Sequence, residues 1–277
     1  MSEMEQGIRA KPDYPVDAFA GTAAYYLRYR VPYPGALISD LLERAATTGS
    51  GKLLDLACGP GRLTFALASS FREVWAVDLE PEMISAGQQA ALERGVRNVT
   101  WAVGRVEELK APSASFDLVS FGEAFHRLDQ PVVAALSHTW LRRGGCIAVA
   151  GSYGMLARNE PWHQIMVNVV EKWTGRTLGA ARPGNPRAVG SPEHCEEVLR
   201  ESGFLEVASY AFIVPHAWTI DEIVGYLYST SVSSRKVLGA NVEAFEAELR
   251  SALLAFDAGG VYREATQWGY TFGRKDR

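Results

Sequence analysis

Leu53-Leu54-Asp55-Leu56-Ala57-Cys58-Gly59-Pro60-Gly61 reads as a short apolar strand that runs into a tight turn and out into a helix. Glycine at 59 and 61 lets the backbone bend sharply and lets a ligand approach with no Cβ in the way. Ala57, an ordinary residue at the head of the turn, is expected to keep a negative φ. Asp78 lies seventeen residues past Gly61 and ends a second apolar run, 73–77. A carboxylate at the end of a neighbouring parallel strand can accept two hydrogen bonds from the vicinal hydroxyls of a ribose. Turn and carboxylate together predict a nucleotide-binding crevice.

Which nucleotide follows from what is missing. A dinucleotide fingerprint needs Gly or Ala where this chain has Thr64, and Asp55 would be unwelcome beside a pyrophosphate. Asp55 suits an ammonium group instead. No GxxxxGK[ST] stretch exists, so a nucleoside triphosphate is not supported.

Outward from the turn, apolar runs alternate with helix-length amphipathic stretches. Leu37, Ile38, Leu41, Leu42 and Ala45 mark a helix over 36–46 with one buried face. Strands are expected at 52–57, 73–77, 99–103, 116–121 and 146–150, with helices running from the turn to Ser69 and over 81–94 and 131–142. Near-continuous apolar strands separated by helices imply a parallel sheet covered on both faces, a doubly wound α/β fold. After Gly151 the pattern changes. Residues 160–174, 192–202, 220–230 and 242–256 read as helices, 204–214 and 261–273 as strands, and 175–190 as a loop rich in Gly, Pro and Arg. Trp162 and Trp173 on the inserted helix read as core packing rather than as a substrate cage. Four segments are expected: an N-terminal cap over 1–35, a nucleotide-binding core over 36–151, helical insertions with a lid loop and the sixth strand over 152–260, and a last strand with a tail over 261–277.

The bulk numbers exclude several classes. The chain has 277 residues, 47% of them hydrophobic, enough for a full core. Twenty-eight basic against 32 acidic residues leave a net charge of −4, which argues against nucleic-acid binding. No apolar run reaches the ~18 residues of a membrane span, and the polar N-terminus does not read as a secretory signal. Cys58, Cys146 and Cys195 are odd in number and lack CxxC spacing, which reads as a reducing cytoplasm. His194 and Cys195 are adjacent, a poor geometry for two ligands, and no metal site is expected.

At this point the chain resembles a known family. DLACGPG at 55–61, VWAVDLEPEMI at 74–84, FDLVSFGEAFHRLD at 116–129 and RRGGCIAVAG at 142–151 resemble, in order and spacing, motifs of class I S-adenosylmethionine-dependent methyltransferases. AAYYLRYRVPYP at 23–34 and TIDEIVGYLYSTSVSS at 219–234 are similar to members that methylate small acids and natural products. The resemblance implies a Rossmann-like sheet of seven mostly parallel strands whose last two form an antiparallel pair, with a helical insertion and lid. It also implies the cofactor S-adenosyl-L-methionine. Asp55, Ala57, Cys58, Gly59 and Gly61 would line its methionine end, Asp78 would hold the ribose, and Leu79, Met83, Arg105 and Val106 would meet the adenine. Gly122 and Glu123 would lie beneath the sulfonium. Arg105 stands where the family commonly has an Asp; an arginine can stack on adenine but cannot accept its amino hydrogen.

Methyl transfer needs the nucleophile and methyl carbon aligned near ~3 Å, and positioning alone can supply about 7–11 kcal/mol. His126, Glu123 or Tyr29 could take a proton from an amine or hydroxyl acceptor, though His126 has packing as an equal alternative. Tyr25 and Tyr29, four apart on a helix, are expected to share a face, and with Arg30 to close over the cofactor. Arg176, Arg182 and Arg187, in a stretch from Lys172 to Pro192 without acids, form a candidate lid for an anionic acceptor, against the alternative of a solvated loop. The expected product is a small molecule methylated on oxygen or nitrogen by a monomer or homodimer. A nicotinamide-dependent oxidoreductase and a non-catalytic cofactor-fold regulatory protein remain as alternatives.

Overall fold

In the computed structural model, residues 17–152, 160–178 and 191–276 are described. One seven-stranded sheet organises them: β1 (Lys52–Leu56), β2 (Glu73–Asp78), β3 (Val99–Val103), β4 (Phe116–Gly122), β5 (Leu141–Ser152), β6 (Leu205–Thr219) and β7 (Val261–Arg274). Their order is β3-β2-β1-β4-β5-β7-β6. The first five run parallel, and β7 inserts antiparallel between β5 and β6. The doubly wound, mostly parallel architecture with an antiparallel final pair is therefore present.

The near-continuous apolar strands have the cause their sequence implies. Leu53, Val74 and Leu118 point to one face, against Leu37 and Leu41 of a helix α2 (Gly35–Arg44) and Leu63 and Leu67 of α3 (Arg62–Leu67). Leu54, Val77 and Val119 point to the other, against Val133 and Ala134 of α5 (Gln130–Trp140) and Val198 and Leu199 of α7 (Pro192–Glu201). A short α1 (Ala23–Tyr29) precedes them, and α4 (Pro81–Arg94) links β2 to β3.

β7 changes character along its length. Tyr262, Glu264, Thr266 and Trp268 are buried while Arg263, Ala265 and Gln267 are exposed, the alternation of a strand with one covered face. From Tyr270 to Phe272 every residue is buried, because there the strand runs between β5 and β6. The alternating part extends past the sheet as a ribbon with β6, which is longer than the expected 204–214. This ribbon carries a third core: Trp218 and Tyr262 pack with Trp162 and Met166 of α6 (Pro161–Thr174), Ile223 of α8 (Ile220–Tyr228), and Phe245 and Leu249 of α10 (Val242–Phe256). Trp162 is thus core, as read. A four-residue α9 (Arg235–Leu238) joins α8 to α10. Beneath the ribbon, His163 and Glu264 face each other at 2.9 Å, fully buried. No helix among the described residues is long and apolar enough to cross a membrane.

Candidate functional site

The turn after β1 is built from three left-handed residues: Ala57 at φ 49°, Gly59 at 55° and Gly61 at 87°. The expectation for Ala57 is corrected. The chain must reverse within a few residues between a buried strand and α3, and the alanine accepts a strained backbone that costs about 1–2 kcal/mol. Gly59 is needed for another reason. No atom lies within 4 Å of where its Cβ would be, so its bare backbone faces open space. Gly61 is needed for packing, since a Cβ there would sit 2.4 Å from the Trp101 ring.

Asp78 closes this cradle. Gly59 N–H donates to its Oδ2 at 2.7 Å and Glu80 N–H to its Oδ1 at 2.9 Å. Burial pushes the carboxyl above its ordinary range, and the two backbone donors oppose that. A carboxylate has about four acceptor positions, so two are left for a pair of hydroxyls. An open glycine backbone beside such a carboxylate fits a ribose-bearing cofactor. Cys58 is buried beneath the turn, Leu79 is half-buried next to Asp78, and Met83 is buried in the first turn of α4.

Asp55 is tied into the fold behind the turn. It is fully buried, with Thr64 Oγ1 donating to it at 2.5 Å and Ser120 Oγ at 2.7 Å. With one donor on each oxygen and no exposure, the carboxylate braces β1, α3 and β4 behind the turn, where it meets a methionine ammonium group only through intervening backbone or water. Burial pushes its carboxyl up to about 6.

Gly122 and Glu123 follow β4. A Cβ on Gly122 would meet the Tyr33 hydroxyl at 2.5 Å. Glu123 holds φ 56°, and its N–H donates to Ala150 O. Its carboxylate accepts from Ser152 Oγ at 3.0 Å and pairs with Arg62 Nη1 at 3.3 Å. Arg62 Nη2 donates in turn to Val31 O, binding the N-terminal segment to α3. Burial works to raise the Glu123 carboxyl, yet Arg30 and Arg62 hold it below its ordinary range. A carboxylate so stabilised is a poor proton acceptor, and the catalytic reading of Glu123 is corrected to that of a charge partner. His126 is also a weak base: burial, helped by Arg127, pushes its imidazole down to about 4, so at neutral pH it is uncharged, with a free acceptor nitrogen of low basicity.

A cavity of about 650 Å³ opens beside the cradle and not over it. Phe19, Tyr26, Arg30, His126 and Arg127 form one wall, and small residues of β5, β6 and β7, among them Gly151, Ala211 and Gly269, form its floor. Tyr26 and Arg30, four apart, supply the face of α1 that sequence spacing assigned to Tyr25 and Tyr29. Those two turn the other way. Tyr29 lies flat on Gly225 of α8, where a Cβ would come within 2.3 Å of the ring, and Tyr25 stacks on Tyr29 and meets Tyr228 edge to face. Their expected roles are corrected to helix packing. Arg105 pairs with Glu108 at 3.7 Å, and Val106 is buried in the core with Val133 and Ala134 of α5. Arg176 donates to Ser231 O at 3.2 Å; Arg182 and Arg187 lie outside the described residues.

Sequence reasoning missed Phe19, Tyr26, Arg62, Arg127 and Tyr33. Arg62 alone left a signal. It is the first residue of α3, where the helix dipole disfavours a cation, so it is there for something else.

Residues 53–145, from β1 to β5, match a family model described as a methyltransferase domain. The chain is 29% identical over 61% of its length to an uncharacterised methyltransferase of Schizosaccharomyces pombe, covering 64% of that protein. It is 31% identical over 50% of its length to a ubiquinone biosynthesis O-methyltransferase of Xylella fastidiosa, covering 51% of it. The chain thus spans less than two thirds of either relative. Among solved structures, YcgJ of Bacillus subtilis shares the fold with a TM-score of 0.57 at 16% identity, over 88% of this chain and 100% of that one. Matched in sequence over 53–145 and in fold over its sheet, the chain carries a domain of the class I S-adenosylmethionine-dependent methyltransferase type.

Proposed function

We propose that the protein transfers a methyl group from S-adenosylmethionine to an oxygen or nitrogen of a small molecule. The observation that carries this is the cradle: the open backbone of Gly59, with Asp78 beside it, next to a cavity that could seat an acceptor. In this reading Asp78 holds the ribose hydroxyls and the 57–61 turn receives the methionine end. Leu79 and Met83 flank the adenine, and Gly122, closely packed by the Tyr33 hydroxyl, lies beneath the sulfonium. The cofactor supplies an electrophilic methyl on a good leaving group, and the protein's part is alignment. His126 takes the acceptor's proton where one must leave. Support for a small-molecule acceptor comes from the ubiquinone biosynthesis O-methyltransferase relative and from a fold neighbour, the Haemonchus contortus phosphoethanolamine N-methyltransferase 2 in complex with S-adenosyl-L-methionine. That neighbour has a TM-score of 0.54 at 15% identity, over 95% of this chain and 57% of its own.

Native mass spectrometry of the protein mixed with S-adenosylhomocysteine or NAD tests the cofactor assignment. One S-adenosylhomocysteine per chain and no NAD is expected; NAD alone would overturn the reading.

A further inference from the structure

We propose that Tyr33 is a cofactor-binding residue, its hydroxyl oxygen accepting a hydrogen bond from the methionine ammonium group. The inference rests on the cofactor reading above and adds to it a direct contact from the N-terminal segment.

Tyr33 is buried, yet its hydroxyl has no hydrogen-bond partner among the described residues. Only its ring is engaged: it packs against Trp268, 5.0 Å between centroids, and under the Arg62 guanidinium at 5.2 Å. A buried phenol usually finds a partner for its O–H, so an unused one marks a place where a ligand docks. The oxygen lies 2.5 Å from where a Cβ on Gly122 would be, and Leu63 Cβ lies 3.3 Å from the same point. The hydroxyl therefore sits between the end of β4 and the first turn of α3. β1 and β4 are neighbours, with Leu56 opposite Phe121, so Ala57 and Gly122, which follow, stand side by side. These are the residues given to the methionine end and the sulfonium, and the hydroxyl lies at the seam between them.

Charge decides which group of the cofactor belongs there. Glu123 pairs with Arg62 at 3.3 Å, and Arg30 and Arg62 together hold its carboxyl low. Asp55 has no such match: its oxygens accept from Thr64 and Ser120, and no cation pairs with it among the described residues. The Asp78 carboxylate adds to the negative potential around it. A buried carboxylate without a cation gains from a positive charge brought near. The methionine carboxylate would add a third negative charge beside Asp55 and Asp78, whereas the ammonium group supplies the missing positive one. Asp55 is fully buried and out of direct reach, which leaves the Tyr33 oxygen as the side-chain acceptor at the seam. Burial and the Glu123 charge push the Tyr33 phenol well above its ordinary range, against the pull of Arg62. The hydroxyl thus stays protonated at neutral pH and serves as a neutral acceptor, not as a base.

Tyr33 is held in place before any ligand arrives. It stands between Pro32 and Pro34, and a residue before proline is confined to extended backbone. Pro34 in turn caps α2, and Arg62 Nη2 donates to Val31 O two residues earlier. An acceptor already fixed costs the ligand little ordering.

Calorimetry of the full protein with four adenosine thioethers is the test. S-adenosylhomocysteine carries both ammonium and carboxylate, its decarboxylated analogue the ammonium alone, its desamino analogue the carboxylate alone, and methylthioadenosine neither. Tyr33→Phe should weaken S-adenosylhomocysteine and the decarboxylated analogue by the same factor, about ten-fold or more, and leave the other two unchanged. In wild type, a comparison that needs no variant, the desamino analogue should bind at least about ten-fold more weakly than S-adenosylhomocysteine. Without ligand, Tyr33→Phe should unfold at the wild-type temperature or higher, because no bond inside the fold is lost. A loss shared by all four ligands, a loss that follows the carboxylate, no loss at all, a wild type indifferent to the missing amine, or a destabilised ligand-free variant would each overturn the proposal and leave the cofactor reading standing. Wild-type protein that binds none of the four would refute the cofactor reading, and this contact with it.

Discussion

Ala57 and Asp55 show how much the turn demands of individual residues. Ala57 holds a left-handed backbone that glycine adopts freely. Ala57→Gly should therefore raise stability by about 0.5–1 kcal/mol, the relief of strain exceeding the extra entropy of the unfolded chain. Urea unfolding measures this, and a loss of stability would show that the alanine methyl packs too well to remove. Asp55 has its folded carboxyl raised to about 6, above the unfolded value near 4. The folded state then holds more protons between those values, so stability falls as pH rises from about 4 to 6. The two-unit shift corresponds to roughly 2–3 kcal/mol. Asp55→Asn should remove that slope while keeping partners for Thr64 and Ser120, and unfolding curves across the window check it. A wild type and variant with parallel pH profiles would contradict the assignment.

At the scale of elements, the N-terminal segment and the turn are joined through one side chain. Arg62 binds Val31 O and Glu123 at once, and both Arg62 and Glu123 are almost wholly buried. Arg62→Ala leaves Glu123 ionised in the interior and should cost about 3 kcal/mol. The double variant with Glu123→Gln should lose less than the sum. Because the same link runs from the segment to α3, directly after the cradle, S-adenosylhomocysteine should raise hydrogen-exchange protection over residues 17–34; equal protection with and without it would contradict the coupling. The α1 face shows where sequence reading stops. Spacing of four correctly groups Tyr25 with Tyr29, and equally groups Tyr26 with Arg30. Both faces carry an aromatic ring, so only the packing of α8, with its bare Gly225, decides which face turns to the cavity.

At the scale of the molecule, the sheet was legible from β1 to β5, because buried parallel strands read as continuous apolar runs between amphipathic helices. Residues 81–94, 99–103 and 242–256 have the bounds expected of them. β6 runs longer than its apolar stretch, since the antiparallel pairing with β7 continues through exposed and polar positions that carry no apolar signal, and β5 starts earlier than expected, with Leu141 paired to Phe116 of β4. The cradle was legible for the same reason as the fold: Gly59, Gly61 and Asp78 are set by local sequence. The cavity was not, because its wall is assembled from Phe19, Arg30, Arg127 and Gly269, which only the folded sheet brings together. The central claim, that the cradle binds the cofactor through Asp78, is tested most directly by calorimetry of S-adenosylhomocysteine with wild type and Asp78→Ala. Two charge-assisted hydrogen bonds worth about 1.5–3 kcal/mol each predict at least a hundred-fold weaker affinity in the variant, with its fold retained; equal affinity in the two proteins would contradict the account.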